Sequence, residues 1–319
     1  MLTIHTENPS SCIVWHPGMT RPAATPIWLD LLDPDPAERV CAESLLGASL
    51  PQRDQISAIE LSSRLRGDHD ILRLNVPAFA RGDAGLGAMT PLGFVLTPKL
   101  LVSLRYAESL AFTHTSQRAA SSDAPVGSVE TFIALIEAIV NVSADRMEET
   151  SVALSKLSRA VFADERGQRG LLRGALFRVG SMQRQIVQLR ASMLGLSRVI
   201  AFLCETAPSW IDKSYLPRLK TMQVDIGALA EFDQQLSDRL QFLLDAVLGF
   251  INNNQNDIMK VLTIVSVVTI GPMTLAGIWG MNFKSIGEYD WPHGYAMALT
   301  AMIVSVVVPL VIFKWRKWF

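Results

Sequence analysis

The chain has 319 residues, enough for two domains of ordinary size, and its 29 basic against 30 acidic residues leave a formal net charge of -1. That balance excludes recognition of nucleic acid by bulk charge. Apolar types make up 49% and charged types only 18%, with a mean hydropathy of +0.26, a composition that excludes disorder and collagen-like repeats and directs attention to membrane spans.

Cys12, Cys41 and Cys204 form no CxxC pair and leave one thiol over, so neither a disulfide framework nor a zinc ribbon is supported, and a reducing compartment fits. The opening MLTIHTENPSSCIVWHPG has no basic start followed by an apolar run, and Glu7 falls where a signal peptide is apolar. The first part of the chain is therefore expected to stay where it is made. Short runs at 27–31, 71–76, 93–96 and 100–104 read as strands, the last two joined by a turn at Thr97-Pro98-Lys99. Helical patterns at 37–46 and 52–65 lie between them, which predicts a small α/β domain over 1–120. The run 121–127, Ser-Ser-Asp-Ala-Pro-Val-Gly, reads as a linker.

Helix-forming composition follows, with one helix predicted over 128–162, broken at Asp164-Glu165-Arg166-Gly167, and a second over 171–205, ending before Pro208. A third starts near Ser214 with Pro217 in its first turn and meets no stop before Gly271-Pro272. Continuous to Trp279, it covers 66 residues, about 100 Å at the usual rise. A rod that long needs partners along its length: two shorter helices of the same chain can flank it, and where a span is only one helix wide other copies of the chain are the expected partners. The division is thus an α/β domain at 1–120, a long-helix coiled stalk at 128–257 and a two-helix membrane domain at 258–319.

The run 261–283 holds 23 residues without Asp, Glu, Lys or Arg, and 291–313 is equally free of them, so both are long enough to cross a bilayer core. Lys260, Lys314, Arg316 and Lys317 flank the spans on one side, against Lys284 alone in the short loop 284–290. The positive-inside rule then puts both termini in the cytoplasm and the loop outside. Trp279, Trp291, Tyr295, Trp315 and Trp318 fall near the span ends, where amphipathic rings favour the headgroup zone.

Alternating steps of four and three along the third helix pick out Asp238, Phe242, Asp245, Gly249, Asn252, Asn256, Met259, Thr263, Ser266, Ile270, Met273 and Gly277, a heptad seam that is mostly small or polar. Two readings stay open. Such a stripe can line a water-filled axis between symmetric copies, with Asp245 and Asp238 drawing cations. Alternatively, Thr263 and Ser266 bond back to their own helix, and 252–257 is a solvated turn.

At the outer end of the first span stands Gly280-Met281-Asn282, after a stalk helix and before a C-terminus ending Phe313-Lys314-Trp315-Arg316-Lys317-Trp318-Phe319. With Gly249-Phe250-Ile251-Asn252, Gln255-Asn256, Met259-Lys260-Val261-Leu262-Thr263 and Gly294-Tyr295, these stretches resemble the CorA family of magnesium channels over about the last 80 residues. The resemblance implies a CorA-like homopentameric funnel in a bacterial-type inner membrane: a cytoplasmic α/β domain, a long-helix stalk and a pore lined by the first of two C-terminal spans. It implies an outer selectivity filter of Gly280, Met281 and Asn282, a stalk asparagine at Asn256, apolar gate rings at Met259 and Leu262, and an acidic ring at Asp245. It also implies regulatory magnesium sites, for which Glu60, Asp68, Asp70 and Asp225 are the candidates, although Asp68-His69-Asp70 also reads as a polar turn.

The outer loop departs from the family pattern: Ser285-Ile286-Gly287-Glu288 stands where Met-Pro-Glu-Leu is common, leaving Glu288 and Asp290 as its acids, while Ile270 stands where Met is frequent and the usual proline is shifted by one at Gly271-Pro272. Related GxN proteins move zinc, typically with Val in the signature, so Met281 favours magnesium. Cobalt or nickel as further cargo, a zinc transporter, and a non-conducting membrane assembly are the alternatives. No organic cofactor is implied, and GxSxG, HExxH, Walker A and GxGxxG motifs are all absent, which argues against an enzyme. Arg178, Arg184, Arg190 and Arg198 recur along one helix as a solvated face rather than a nucleic-acid site.

Overall fold

The computed structural model describes residues 1–6, 12–19, 24–57, 65–68, 70–80, 88–119, 126–163, 169–281, 291–316 and 318. Contacts divide the chain into two units, one of residues 1–162 and 175–244, the other of 163–174 and 245–319.

The first unit begins with a seven-stranded sheet. Its strands are β1 (Leu2–Thr6), β2 (Cys12–Trp15), β3 (Pro26–Leu32), β4 (Leu65–Asp68), β5 (Ile71–Ala80), β6 (Ala88–Leu96) and β7 (Leu101–Arg105), in the order β2-β1-β3-β7-β6-β5-β4. Only β3 and β7 pair in parallel, Trp28 beside Leu101. The helices α1 (Pro36–Leu46) and α2 (Arg53–Ser57) cover one face, where Leu2, Ile4, Leu29, Leu31, Val95 and Val102 meet Ala42 and Ile56. The other face carries the rings of Trp28 and Phe94 against Phe112 of α3 (Leu110–Ala119) and Phe132 of α4 (Ser128–Ala163). Because both faces are covered, β1 is buried along its whole length, polar Thr3 and His5 included. Asp30 on that second face is gripped at 2.7 Å by Arg105, with Ser103 donating to it at 2.9 Å. A charge buried this far is tolerable only when so partnered.

The predicted helix over 52–65 is corrected at its end. Arg53–Ser57 is helical, 58–64 lie outside the described residues, and Leu65 opens β4, which pairs antiparallel with β5. The strands β1 and β2 and the helix α3 were not legible in the pattern. The linker at 121–127 and the break at 164–167 fall almost wholly outside the described residues.

The three long helices are α4, α5 (Arg169–Thr206) and α6 (Leu216–Trp279), the last entered through a 3₁₀ turn at Lys213–Tyr215. Within the first unit α6 buries Leu219, Met222, Ile226, Asp233, Leu236, Leu240 and Leu243, a seam of steps of three, four and seven that matches a helix packed along its own chain. Asp233 occupies one place in that seam, 3% exposed, and Arg190 of α5 donates to it. Arg218 ties α6 to α4 by ion pairs to Glu130 at 2.6 Å and Glu137 at 2.8 Å, and those carboxylates hold its guanidinium pKa above the usual range. Gly195 of α5 is required where that helix meets β5, since a Cβ there would lie 2.7 Å from the Pro77 ring.

Candidate pore and ion-selectivity site

Among the described residues three helices are long and apolar enough to cross a membrane. In α5 the apolar window is 50% buried within the protein, whereas the windows of α6 and of α7 (Gly294–Trp315) are 0% buried. The apolar face of α5 is therefore spent on the protein's own core, and α6 and α7 present Val265, Ile278, Ile303, Val304, Val307 and Val311 outward. Aliphatic side chains exposed in such numbers have a stable environment only in hydrocarbon or against another subunit.

The two spans pack through a mixed face whose closest approach is at small residues. Ile264, Val268, Gly271, Leu275 and Trp279 of α6 are half-buried, as are Ala301, Met302, Ser305, Val306 and Pro309 of α7. At Gly271 the approach is so close that a Cβ would lie 3.0 Å from the Ser305 Cβ and 3.4 Å from its carbonyl. Small residues at such a crossing are how membrane helices reach each other. Pro309 also removes the amide that the Ser305 carbonyl would otherwise accept from, so a polar oxygen stands free of its ladder at this crossing.

The polar stripe falls elsewhere. Asp238, Phe242, Asp245, Gly249, Asn252, Asn256, Met259, Thr263, Ser266, Ile270, Met273 and Gly277 are all exposed. In the span, at ~100° per residue, the stripe is centred roughly 150° around α6 from the face that packs on α7. Part of the second reading holds alongside: the Thr263 hydroxyl donates to the Met259 carbonyl and that of Ser266 to the Leu262 carbonyl, both at 2.8 Å. Each hydroxyl oxygen still has acceptor capacity on the stripe side. The segment 252–257, by contrast, is helix and no turn. Leu262 is exposed beside the stripe at 57%, and Asp238 accepts from Gln234 at 2.9 Å.

At the outer end, α6 stops at Trp279 and Gly280 still donates to the Ala276 carbonyl at 2.8 Å. A Cβ on Gly280 would sit 2.9 Å from that carbonyl, so glycine is what lets the chain leave the helix there. Met281 follows, exposed. Asn282, Glu288 and Asp290 lie outside the described residues. Of the regulatory candidates, Asp70 is exposed at the turn before β5, Asp225 is exposed on α6, Asp68 ends β4, and Glu60 lies outside the described residues. Among the described residues of the single chain no three His, Cys, Asp or Glu side chains converge on one point.

The profile described as CorA-like Mg2+ transporter protein matches residues 23–316. The magnesium transport protein CorA of Escherichia coli K12 is 29% identical over 300 residues, 94% of each chain. The complete structure of the CorA magnesium transporter from Methanocaldococcus jannaschii covers 100% of this chain and 98% of its own, with TM-score 0.75 at 18% identity. The cytoplasmic domain of ZntB from Vibrio parahaemolyticus covers 80% of this chain and 96% of its own, with TM-score 0.52 at 16% identity.

Proposed function

Since the chain belongs to the CorA family, membrane transporters of divalent cations and not enzymes, we propose that it carries Mg2+ into the cytoplasm through a homopentameric pore lined by the first span. The observation that carries this reading is the stripe on α6, exposed along its full length, turned away from α7 within the span, and followed at its outer end by Gly280 and Met281. The name of the E. coli relative, magnesium transport protein, supports the choice of ion.

The chemistry fits that cargo. Magnesium gives up its waters reluctantly, so a filter that must both bind and release it does better with neutral oxygens contacting the hydrated ion than with a carboxylate cage. Gly280 carbonyls and Asn282 carboxamides form that filter, with Met281 between them. Below it Gly277, Met273, Ile270, Ser266 and Thr263 line the path. Leu262 and Met259 are the apolar rings that close it by dewetting, and Asn256, Asn252 and Asp245 form the polar and acidic inner mouth. In the outer loop Glu288 and Asp290 attract the ion, and Glu60, Asp68, Asp70 and Asp225 are where internal Mg2+ would act as a regulator. Residues 1–120 form the cytoplasmic domain, 128–257 the stalk and 258–319 the pore domain, with both termini in the cytoplasm of a bacterial-type inner membrane. Inward flux is driven by the membrane potential, ~2.3 kcal/mol per charge per 100 mV and about twice that for a dication.

The test is influx into liposomes loaded with a magnesium dye. The native chain conducts Mg2+, and Asn282→Ala loses selective flux. Normal Mg2+ influx in that variant overturns the filter assignment, Zn2+ influx without Mg2+ moves the cargo to zinc, and no flux of Mg2+, Co2+, Ni2+ or Zn2+ favours a non-conducting assembly.

A further inference from the structure

In the second unit the start of α5 lies against α6 just inside the charge-free span. Leu172 is 2% exposed there, and with Arg173, Ile251, Asn254, Gln255 and Ile258 it lines an open cleft of about 250 Å³. The walls are mostly aliphatic, and Arg173, exposed at the rim, is the one charged group among the lining residues.

The height of this cleft relative to the bilayer follows from the span crossing. Gly271 meets Ser305, and α6 and α7 run in opposite directions from there. Lys260 and Arg316 are each eleven residues from the crossing, so both stand about 16 Å below it, at the edge of the hydrocarbon core. The cleft residues Asn254 to Ile258 begin two residues further along, about 3 to 9 Å deeper on the cytoplasmic side, which is headgroup depth. Arg173, Lys260, Lys314 and Arg316 of this unit lie on the cytoplasmic side of the crossing, with Asp245 and Asp257 as acids, and Asp257 is already paired with Lys260 at 2.9 Å.

We propose that this cleft holds an anionic phospholipid of the cytoplasmic leaflet, its phosphate on Arg173 and the upper part of an acyl chain against Leu172, Ile251 and Ile258. The occupant is named by charge complementarity and by depth. A soluble anion would have no use for three aliphatic walls, and an uncharged lipid would leave the rim guanidinium without a counterpart in a zone where headgroups compete for it. Arginine suits the role because its planar fork grips phosphate through two parallel bonds. The inference rests on the chain's place in a membrane and is independent of which cation the pore conducts.

The test is native mass spectrometry of the full-length assembly in detergent, offered equal phosphatidylglycerol and phosphatidylcholine. The native chain retains phosphatidylglycerol selectively. Arg173→Glu lowers that retention at least roughly fivefold, the factor that ~1 kcal/mol per basic residue near an anionic surface corresponds to. Ile258→Trp, which fills the cleft without changing charge, lowers it as well, and Lys314→Glu, an equal charge change away from the cleft, leaves it in place. Retention unchanged in both Arg173→Glu and Ile258→Trp overturns the proposal. So does an equal loss in Lys314→Glu with none in Ile258→Trp, which would mean diffuse surface attraction. A disulfide formed between copies by Arg173→Cys, with Cys12, Cys41 and Cys204 changed to Ser, would assign the cleft to a neighbouring subunit and also overturn it.

Discussion

The two units use the same aliphatic residues in opposite ways. In the first, Leu29, Leu72, Leu74 and Phe94 are fully buried between sheet and helices, and the buried charges come in with a partner, Asp30 with Arg105 and Asp233 with Arg190. In the second, Val265, Ile303, Val307 and Val311 stand outside, and the half-buried contact between the spans has Gly271 and Ser305 at its closest approach. The difference teaches what solvent each part was selected against: water rewards the burial of large apolar surface, whereas lipid does not, leaving close backbone approach to hold the spans together.

If that contrast is right, truncation inside the first unit has the largest effect. Phe94→Ala, which removes a ring packed on Phe112 and Phe132, costs about 4 kcal/mol, whereas Val304→Ala on the outer face of α7 costs less than ~1 kcal/mol. Denaturant unfolding of the detergent-solubilised protein reads both, and similar costs would break the comparison. Next comes acid. His5 is stacked on Trp28 at 4.2 Å, and burial pushes its imidazole down to about 4, with the nearby Asp30 charge opposing. The unfolded chain takes a proton there near pH 6.5 and the folded chain only near pH 4, so stability falls as pH drops through that window, by up to about 3 kcal/mol, and this contribution levels off below it. His5→Phe flattens that part of the pH profile; a slope equal to that of the native chain would mean the imidazole is hydrated.

The crossing of the spans sharpens the contrast from the other side. Gly271→Leu forces a side chain into Ser305 and costs about 1 to 3 kcal/mol, read as loss of thermal stability in detergent, with Gly271→Ala between it and the native chain. A native-like Gly271→Leu would show that the spans do not rely on this approach. The smallest effect belongs to Lys260→Ala. Its pair with Asp257 is exposed on both sides, so less than ~0.5 kcal/mol is lost. A larger loss would mean that this boundary is drier than water.

What the sequence revealed follows the same division. The ends of the long helices were legible to within about two residues because helical periodicity there is uninterrupted, and the two spans were legible because charge is absent over the whole of each. β1 was not, since Leu-Thr-Ile-His-Thr buries its polar residues too and shows no alternation to water. α3 was hidden by Thr113, Thr115 and Ser116, weak helix formers held by packing at Phe112 and Thr115. On α6, the stripe could be read as a repeat, but that it turns away from α7 depends on the contact of Gly271 with Ser305, which links positions too far apart for any local pattern. The cleft at Arg173 was invisible for the same reason.

Asp233 gives the long helix α6 a key. The seam of α6 is otherwise aliphatic, and such a seam can shift by a heptad with little change in what it buries. The carboxylate removes that freedom: any slip of α6 along α5 carries Asp233 away from Arg190 and leaves a charge in an apolar groove, a loss of several kcal/mol. Within the first unit the rod can therefore bend or roll about its keyed point, but it cannot run as a piston.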